Sequence, residues 1–379
     1  MTAADARPAP ATPAHGTADR ARGPAPAAGS AALSVAVDIG GTKIAGALVD
    51  RRGTLHATAR RPTTRAPFPA RGAGWTGGPD AAAGPRDAAA EAVMAALAEV
   101  LAELAQAPQW SRVTRCAIAS AGPVDASRGT VSPVNIAAWR DFPVRARTQS
   151  LLARHGAPVP VVLVGDGVAM AAAEHWLGAA SGCRNALCMV VSTGVGGGLI
   201  LDGRLRPGPT GNAGHIGHIS VALEGAPCAC GARGCVEAMA SGPAIARQAA
   251  ALGWRPVGTD HSAAAVAAAA RGGDPAALAA FDHAGRALAA AVAGTATLLE
   301  VERAVIGGGV AASGDVLFAP LRRHLGTYAA LSFVREVTVV PASLGTDAGL
   351  VGAAAAAFEL LPDPALDDVE PARTPPRRS

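Results

Sequence analysis

The chain has 379 residues, half of them hydrophobic, and a net charge of +4. That length accommodates two domains with a substantial core. The small charge, without any lysine–arginine block or aromatic–basic interleaving, argues against a nucleic-acid partner. No window approaches the roughly 18 uninterrupted apolar residues of a membrane span, and the Pro/Ala-rich N-terminus lacks the apolar core of a signal peptide. Six cysteines, three of them clustered, fit a reducing cytoplasm and a metal site better than a disulfide framework.

Residues 1–33 have no periodicity and read as a disordered tail, too short and Pro-rich for a helix-turn-helix. Residues 34–60 read as a meander of three strands. Its first turn is Asp38-Ile-Gly40-Gly41-Thr42-Lys43. The two glycines are expected to turn with positive φ and to admit a ligand close to the main chain. Thr42 and Lys43 add a hydroxyl and a cation, a set that suits a polyphosphate. Asp38 is placed to hold Mg²⁺ through water. Lys43 is the only lysine among 33 basic residues, so it is not compositional filler.

A Pro/Gly/Arg-rich loop is expected at 61–86, then a helix at 87–106 with Val93, Leu97, Leu101 and Leu104 on one face. A strand follows at 113–120, then a loop with Asn135 and Trp139, and a helix near 146–155. A strand at 159–164 leads into a turn at Gly165-Asp166-Gly167 and a helix at 168–177. Asp166 suits either a helix N-cap or a general base accepting a proton from an attacking alcohol. A second glycine hairpin, Ser192-Thr193-Gly194-Val195-Gly196-Gly197-Gly198, echoes the first. Residues 242–300 read as three helices. A strand at 301–306 ends in Gly307-Gly308-Gly309, which suits close approach of a ribose or adenine. A helix at 315–326, a strand at 337–340, a last helix at 347–360 and a disordered tail at 362–379 complete the chain. The order of elements implies a duplicated α/β fold with a glycine hairpin in each half.

His218, Cys228, Cys230 and Cys235 form a three-thiolate, one-imidazole set that suits tetrahedral zinc. With no position left open, such a zinc is structural. Glu237 is then either a solvated charge or a substrate contact held by the metal loop. His215 suits a substrate contact or a core histidine, since the metal already has four ligands.

These motifs resemble the ROK family of sugar kinases within the actin-like, hexokinase-like ATPase superfamily. The resemblance covers about 34–360 and implies a ribonuclease H-like, two-lobed α/β fold closing over ATP and a sugar. The lobes would span 34–146 and 147–361, with a zinc loop at 218–235 and the last helix a candidate to return to the first lobe. It implies ATP, Mg²⁺ and structural Zn²⁺, and a homo-oligomer, dimer or tetramer. By resemblance Asp166 is the catalytic base, and Asn135, His218 and Glu237 contact the sugar with Asp166 itself. Asp38, Gly40, Gly41, Thr42, Lys43, Thr193, Gly194, Gly196 and Gly307–Gly309 surround the nucleotide. Two positions depart from the pattern: Gly165 stands where the family has Asn, and His215 where it has Glu. A carboxylate accepts from two hydroxyls, whereas a neutral imidazole offers one donor and one acceptor. The expected function is transfer of the γ-phosphoryl of ATP to the primary hydroxyl of a hexose, glucose first. The two departures motivate an amino sugar such as N-acetylmannosamine or N-acetylglucosamine, or a C7 cyclitol, as the alternative acceptor. A repressor role is disfavoured because no helix-turn-helix is recognisable.

Overall fold

A computed structural model of the chain describes residues 32–63, 85–133 and 135–362. Most of the expected tails and loop (1–31, 64–84 and 363–379) lie outside those residues. Leu33, assigned above to the tail, is instead a fully buried strand residue.

The first sheet is built from β1 (Leu33–Ile39), β2 (Lys43–Val49) and β3 (Leu55–Pro62), followed after helix α1 (Pro85–Leu104) by β4 (Val113–Ser120). A small hairpin, β5 (Val124–Asp125) and β6 (Thr130–Val131), and helix α2 (Val144–Arg154) precede β7 (Val161–Gly165). Helix α3 (Asp166–Leu177) then leads to the second sheet: β8 (Ala186–Val191), β9 (Val195–Leu201) and β10 (Arg204–Leu205). Helices α4 (Val236–Ala240), α5 (Gly242–Ala251), α6 (Ala263–Arg271) and α7 (Pro275–Leu299) come next. The chain continues through β11 (Arg303–Gly307), α8 (Asp315–Tyr328), β12 (Thr338–Pro341) and α9 (Ala348–Leu360).

The two sheets have the same plan. The first runs β3-β2-β1-β4-β7 and the second β10-β9-β8-β11-β12. In each, the first three strands in sequence pair antiparallel, the fourth pairs in parallel with the first, and the fifth in parallel with the fourth. The echo between the glycine hairpins is therefore a repeat of the whole sheet. The boundary expected at 146/147 falls ahead of β7, whose residues pair in parallel with β4, so sheet membership changes only between 165 and 186.

Strand period dictates the layers. Along β1, Leu33, Val35, Val37 and Ile39 face the core shared with α1 and α2, while Ala36 faces the opposite core. Along β8, Leu187, Met189 and Val191 face α4–α8, while Ala186 and Cys188 face that same opposite core. Between the sheets lie α3 and α9. Alanines on both inner faces and both helices keep this middle layer thin. The helices touch backbone to backbone, since a Cβ on Gly352 would stand 1.9 Å from the Ala169 carbonyl oxygen. The last helix packs on β1 and β4 of the first sheet. On α1 the predicted face holds, with Val93, Leu97, Leu101 and Leu104 at most 1 % exposed. Asp274 accepts from the Ala277 N–H ahead of Pro275, and so caps α7.

Candidate functional site

Parallel strands deliver their carboxyl ends to one edge, the usual place for a ligand in an open α/β sheet. In the first sheet the register aligns Ile39, Ser120 and Gly165 there. Asp38 stands one residue before that row and Asp166 one residue after it.

Asp166 begins α3 directly, with no intervening turn. Gly165 is extended (φ −69°, ψ 154°) and takes the cap position, so the N-cap alternative for Asp166 is corrected. One carboxylate oxygen accepts from the Gly167 N–H at 2.7 Å. The carboxylate edge opens on the cleft, yet protein packs closely around the group. Burial pushes its carboxyl above the ordinary range, against the lowering effects of the Gly167 N–H and His215. Asp38 is half-buried and its carboxyl is pushed up to about 6, first by burial and then by the charge of Asp166, with Lys43 opposing. A carboxylate whose proton affinity is raised by a neighbouring carboxylate also marks a place where a cation is favourable.

The first glycine turn is held by the Gly40 N–H donating to the Lys43 carbonyl at 2.9 Å and the Thr63 hydroxyl donating to the Gly40 carbonyl at 2.7 Å. Neither Gly40 nor Gly41 has positive φ, so the reason given above for these glycines is corrected. What matters is the absent side chain. A Cβ on Gly41 would lie 2.8 Å from Asn135, which sits directly on the turn. A Cβ on Gly349, in the first turn of α9, would lie 2.5 Å from the Asp38 carboxylate. That helix start therefore belongs to the site, and no sequence motif announced it.

The second glycine run divides into two parts. Thr193 is exposed and Gly194 half-buried at the hairpin tip. Gly197 and Gly198 lie inside β9, where Cβ atoms would come within 2.8 Å of the Cys188 and Gly214 carbonyls and 2.7 Å of the Gly167 carbonyl. These glycines admit α3 and the loop carrying Gly214 against the strand. Gly196 faces Asp166, with 3.6 Å from its would-be Cβ to the carboxylate. In the third run, Gly308 has φ +91° and lies against Val191, while Gly309 opens beside Ser192.

A small cavity beside Asp166 is lined by Gly122, Gly165, Asp166, Gly196, Asn212 and His215 among others. Asn212 was not singled out above, although it lies three residues before His215. Its amide pairs both ways with Val124, accepting from the N–H at 3.1 Å and donating to the carbonyl at 2.6 Å. The loop before His215 is thereby tied to the first sheet's side of the cavity. Beside Gly165 there is room, since its would-be Cβ meets nothing closer than the Gly211 carbonyl at 3.8 Å. His215 stacks on His218 with ring centroids 5.2 Å apart. Burial and His218 lower its affinity for a proton against the pull of Asp166 and Glu237, which favours the neutral ring. Glu237 accepts from the Val195 N–H at 2.9 Å.

The ligand atoms of His218, Cys228, Cys230 and Cys235 lie within 4.8 Å of one another. The Cys230–Cys235 sulfurs are 3.7 Å apart, and Cys228 Sγ is 3.8 Å from His218 Nδ1. A tetrahedron with metal–sulfur bonds of about 2.3 Å has edges of about 3.8 Å, so the donor set fits zinc. Gly234 makes the wrap possible: it has φ +66°, and a Cβ there would stand 1.7 Å from the Ala222 carbonyl.

Two sheets of one plan enclosing a helix pair, with glycine hairpins and paired carboxylates at their edges, define an actin-like two-lobe α/β kinase fold. The chain belongs to the ROK family, whose model matches residues 78–359. It is 33 % identical over 350 residues to a glucokinase of Streptomyces coelicolor, covering 88 % of this chain and 99 % of that one. It is 36 % identical over 324 residues to an N-acetylmannosamine kinase of Yersinia pseudotuberculosis, covering 84 % and 96 %. Among solved structures it resembles a ROK family glucokinase from Streptomyces griseus in complex with glucose and AMPPNP. That match has a TM-score of 0.66 at 31 % identity and covers 86 % of this chain and 99 % of the other. Among the described residues no helix is long and apolar enough to cross a membrane.

Proposed function

We propose that this protein is an ATP-dependent sugar kinase that transfers the γ-phosphoryl group to the primary hydroxyl of a hexose, with glucose as the acceptor. The observation that carries the reading is Asp166. Its carboxylate opens on a cavity between the two sheets' edges, opposite Gly196 of the second glycine hairpin and beside a pushed-up Asp38. Phosphoryl transfer asks the protein mainly for positioning and charge neutralisation. Asp166 takes the proton of the attacking hydroxyl. Asn135, His215, His218 and Glu237 orient the acceptor. The turns at Gly40–Lys43 and Thr193–Gly196 receive the phosphates, Lys43 offsets their charge, and Gly307–Gly309 borders the nucleoside. Asp38 is the group placed to hold Mg²⁺, which when bound with the nucleotide neutralises phosphate charge. We assign His218, Cys228, Cys230 and Cys235 to a structural zinc, which keeps the acceptor-side residues His218 and Glu237 in register.

A second acceptor class has specific support. Gly165 leaves open space in the cavity wall and His215 replaces a carboxylate with a ring that is neutral near pH 7. Both changes favour an acceptor with an added substituent and fewer hydroxyls to satisfy, such as an N-acetyl amino sugar or a cyclitol. ADP release measured with glucose, mannose, N-acetylmannosamine, N-acetylglucosamine and a C7 cyclitol decides. Glucose far above the rest supports the first reading, an amino sugar or cyclitol above glucose supports the second, and no turnover with any of them overturns both.

A further inference from the structure

The geometry points to a second task for Glu237: it is a positioning residue that fixes the tip of the second glycine hairpin for the nucleotide. The inference rests on the kinase reading above and assigns this carboxylate to the ATP side of the cleft as well as the acceptor side. Glu237 lies in the first turn of α4, two residues beyond Cys235. Its Oε2 accepts from the N–H of Val195, which opens β9 directly after the hairpin tip, at 2.9 Å. A Cβ on Gly194 would stand 2.7 Å from that same oxygen, so the glycine is what lets the carboxylate seat against the tip.

The other end of the tip is gripped by the same joint. The Gly242 N–H, at the start of α5, donates to the Ser192 carbonyl at 2.7 Å, and the Ser241 N–H donates to the Glu237 carbonyl at 3.2 Å. Across the tip itself the Ser192 N–H donates to the Gly194 carbonyl at 2.8 Å. The α4–α5 joint hangs in turn from the metal loop, with the Val236 N–H donating to the Ile219 carbonyl at 3.1 Å. The tip residues Ser192, Thr193, Gly194 and Val195 bring no charge of their own. One oxygen of Glu237 accepts from Val195, and no hydrogen bond to the other is found among the described residues, which leaves it to accept from a hydroxyl of the sugar.

The test separates a hydrogen-bond anchor from a purely acceptor-side contact. Glutamine at 237 keeps a carbonyl oxygen at the same reach and alanine does not. Glu237→Ala should raise the KM for ATP roughly tenfold, while Glu237→Gln keeps it within about threefold of wild type. Both should raise the KM for the sugar. Hydrogen exchange at the Val195 amide, measured without ATP or sugar, should be at least about tenfold faster in Glu237→Ala and near wild type in Glu237→Gln. Should Glu237→Ala fail to fold, Gly194→Ala displaces the carboxylate with a methyl group and should accelerate the same amide. A wild-type KM for ATP with a protected Val195 amide in Glu237→Ala overturns the assignment. So does a Glu237→Gln enzyme as impaired toward ATP as the alanine variant, or an unchanged Val195 amide in Gly194→Ala. The exchange measurement needs no turnover, so it stands even if no sugar is phosphorylated, whereas wild-type turnover alone decides the kinase reading.

Discussion

The two glycine hairpins occupy the same place in two sheets of the same plan, yet they are built differently. The first, between β1 and β2, carries its own charges, Asp38 and Lys43, and its Gly41 is kept bare by Asn135. The second, between β8 and β9, carries none and borrows a carboxylate from α4, while Gly197 and Gly198 are consumed by packing against α3 and the Gly214 loop. Duplication of a backbone plan therefore does not duplicate chemistry. One hairpin supplies charge and the other supplies shape.

The largest effect belongs to a residue neither hairpin repeats. Asp166→Asn should lower kcat by about 10²–10⁴-fold with little change in either KM, because the amide keeps the volume and loses the base. A steady-state assay checks this, and undiminished turnover would show that the proton leaves by another route. Next in size is the metal loop that serves the second hairpin. Cys228→Ser, or chelation, should reduce bound zinc from about one ion per chain. Through His218 and Glu237 it should also raise the KM for the sugar by roughly 10–100-fold. Elemental analysis beside the kinetics reads both, and full sugar affinity in metal-free protein would uncouple loop from site.

Much of this contrast was hidden from a linear reading for identifiable reasons. Strand alternation, the α1 face and the clustering of His218 with Cys228, Cys230 and Cys235 are local, and each appears in the structure where the periodicity or spacing put it. Gly165 as a cap was invisible, because a glycine between a strand and a helix looks like a turn until its φ and ψ are known. The purposes of Gly41, Gly197 and Gly198 are non-local. Gly41 is set by Asn135, Gly197 by the neighbouring strand and the Gly214 loop, and Gly198 by α3, and composition cannot reveal which backbone will arrive there. The same holds for Gly349 beside Asp38, some 300 residues distant, and for Glu237 on Val195. The register of β7 with β4 likewise depends on a pairing that no segment of the sequence states by itself.

The glycines allow a stability test of the contrast. Gly198→Ala places a methyl group 2.7 Å from the Gly167 carbonyl and 2.8 Å from Ala171, neither of which can retreat without moving α3. It should cost about 1–3 kcal/mol, read as a lower urea midpoint. Gly40→Ala meets only the Lys43 carbonyl, at 3.2 Å, and has no positive φ to strain. Its effect should fall on the KM for ATP, with stability changed by less than about 1 kcal/mol. Equal destabilisation by both would mean that the hairpins share one function after all.

One further stability effect has the opposite sign. The native Asp38 carboxyl titrates at about 6 against 3.8 for an unperturbed one, so the folded chain holds this proton more tightly than the unfolded chain does. Its contribution to stability is present below about pH 4 and is lost as the pH rises through 6. At pH 7.5 the charge is a liability to the fold, relieved only by Lys43 and by whatever cation the site takes. Asp38→Asn should therefore be more stable than the wild type by about 1–2 kcal/mol at pH 7.5, after allowance for partial exposure. That advantage should vanish near pH 4, while phosphoryl transfer is lost. Wild-type kcat/KM should likewise fall as the pH drops through about 6, where Asp38 takes on a proton, and the carboxyl of Asp166, also raised by burial, adds to the loss in acid. Denaturant melts of the two proteins across pH 4–8 measure the difference. A destabilised Asp38→Asn at pH 7.5 would mean that the carboxylate is held by favourable contacts, and that the first hairpin, like the second, is shaped for packing before charge.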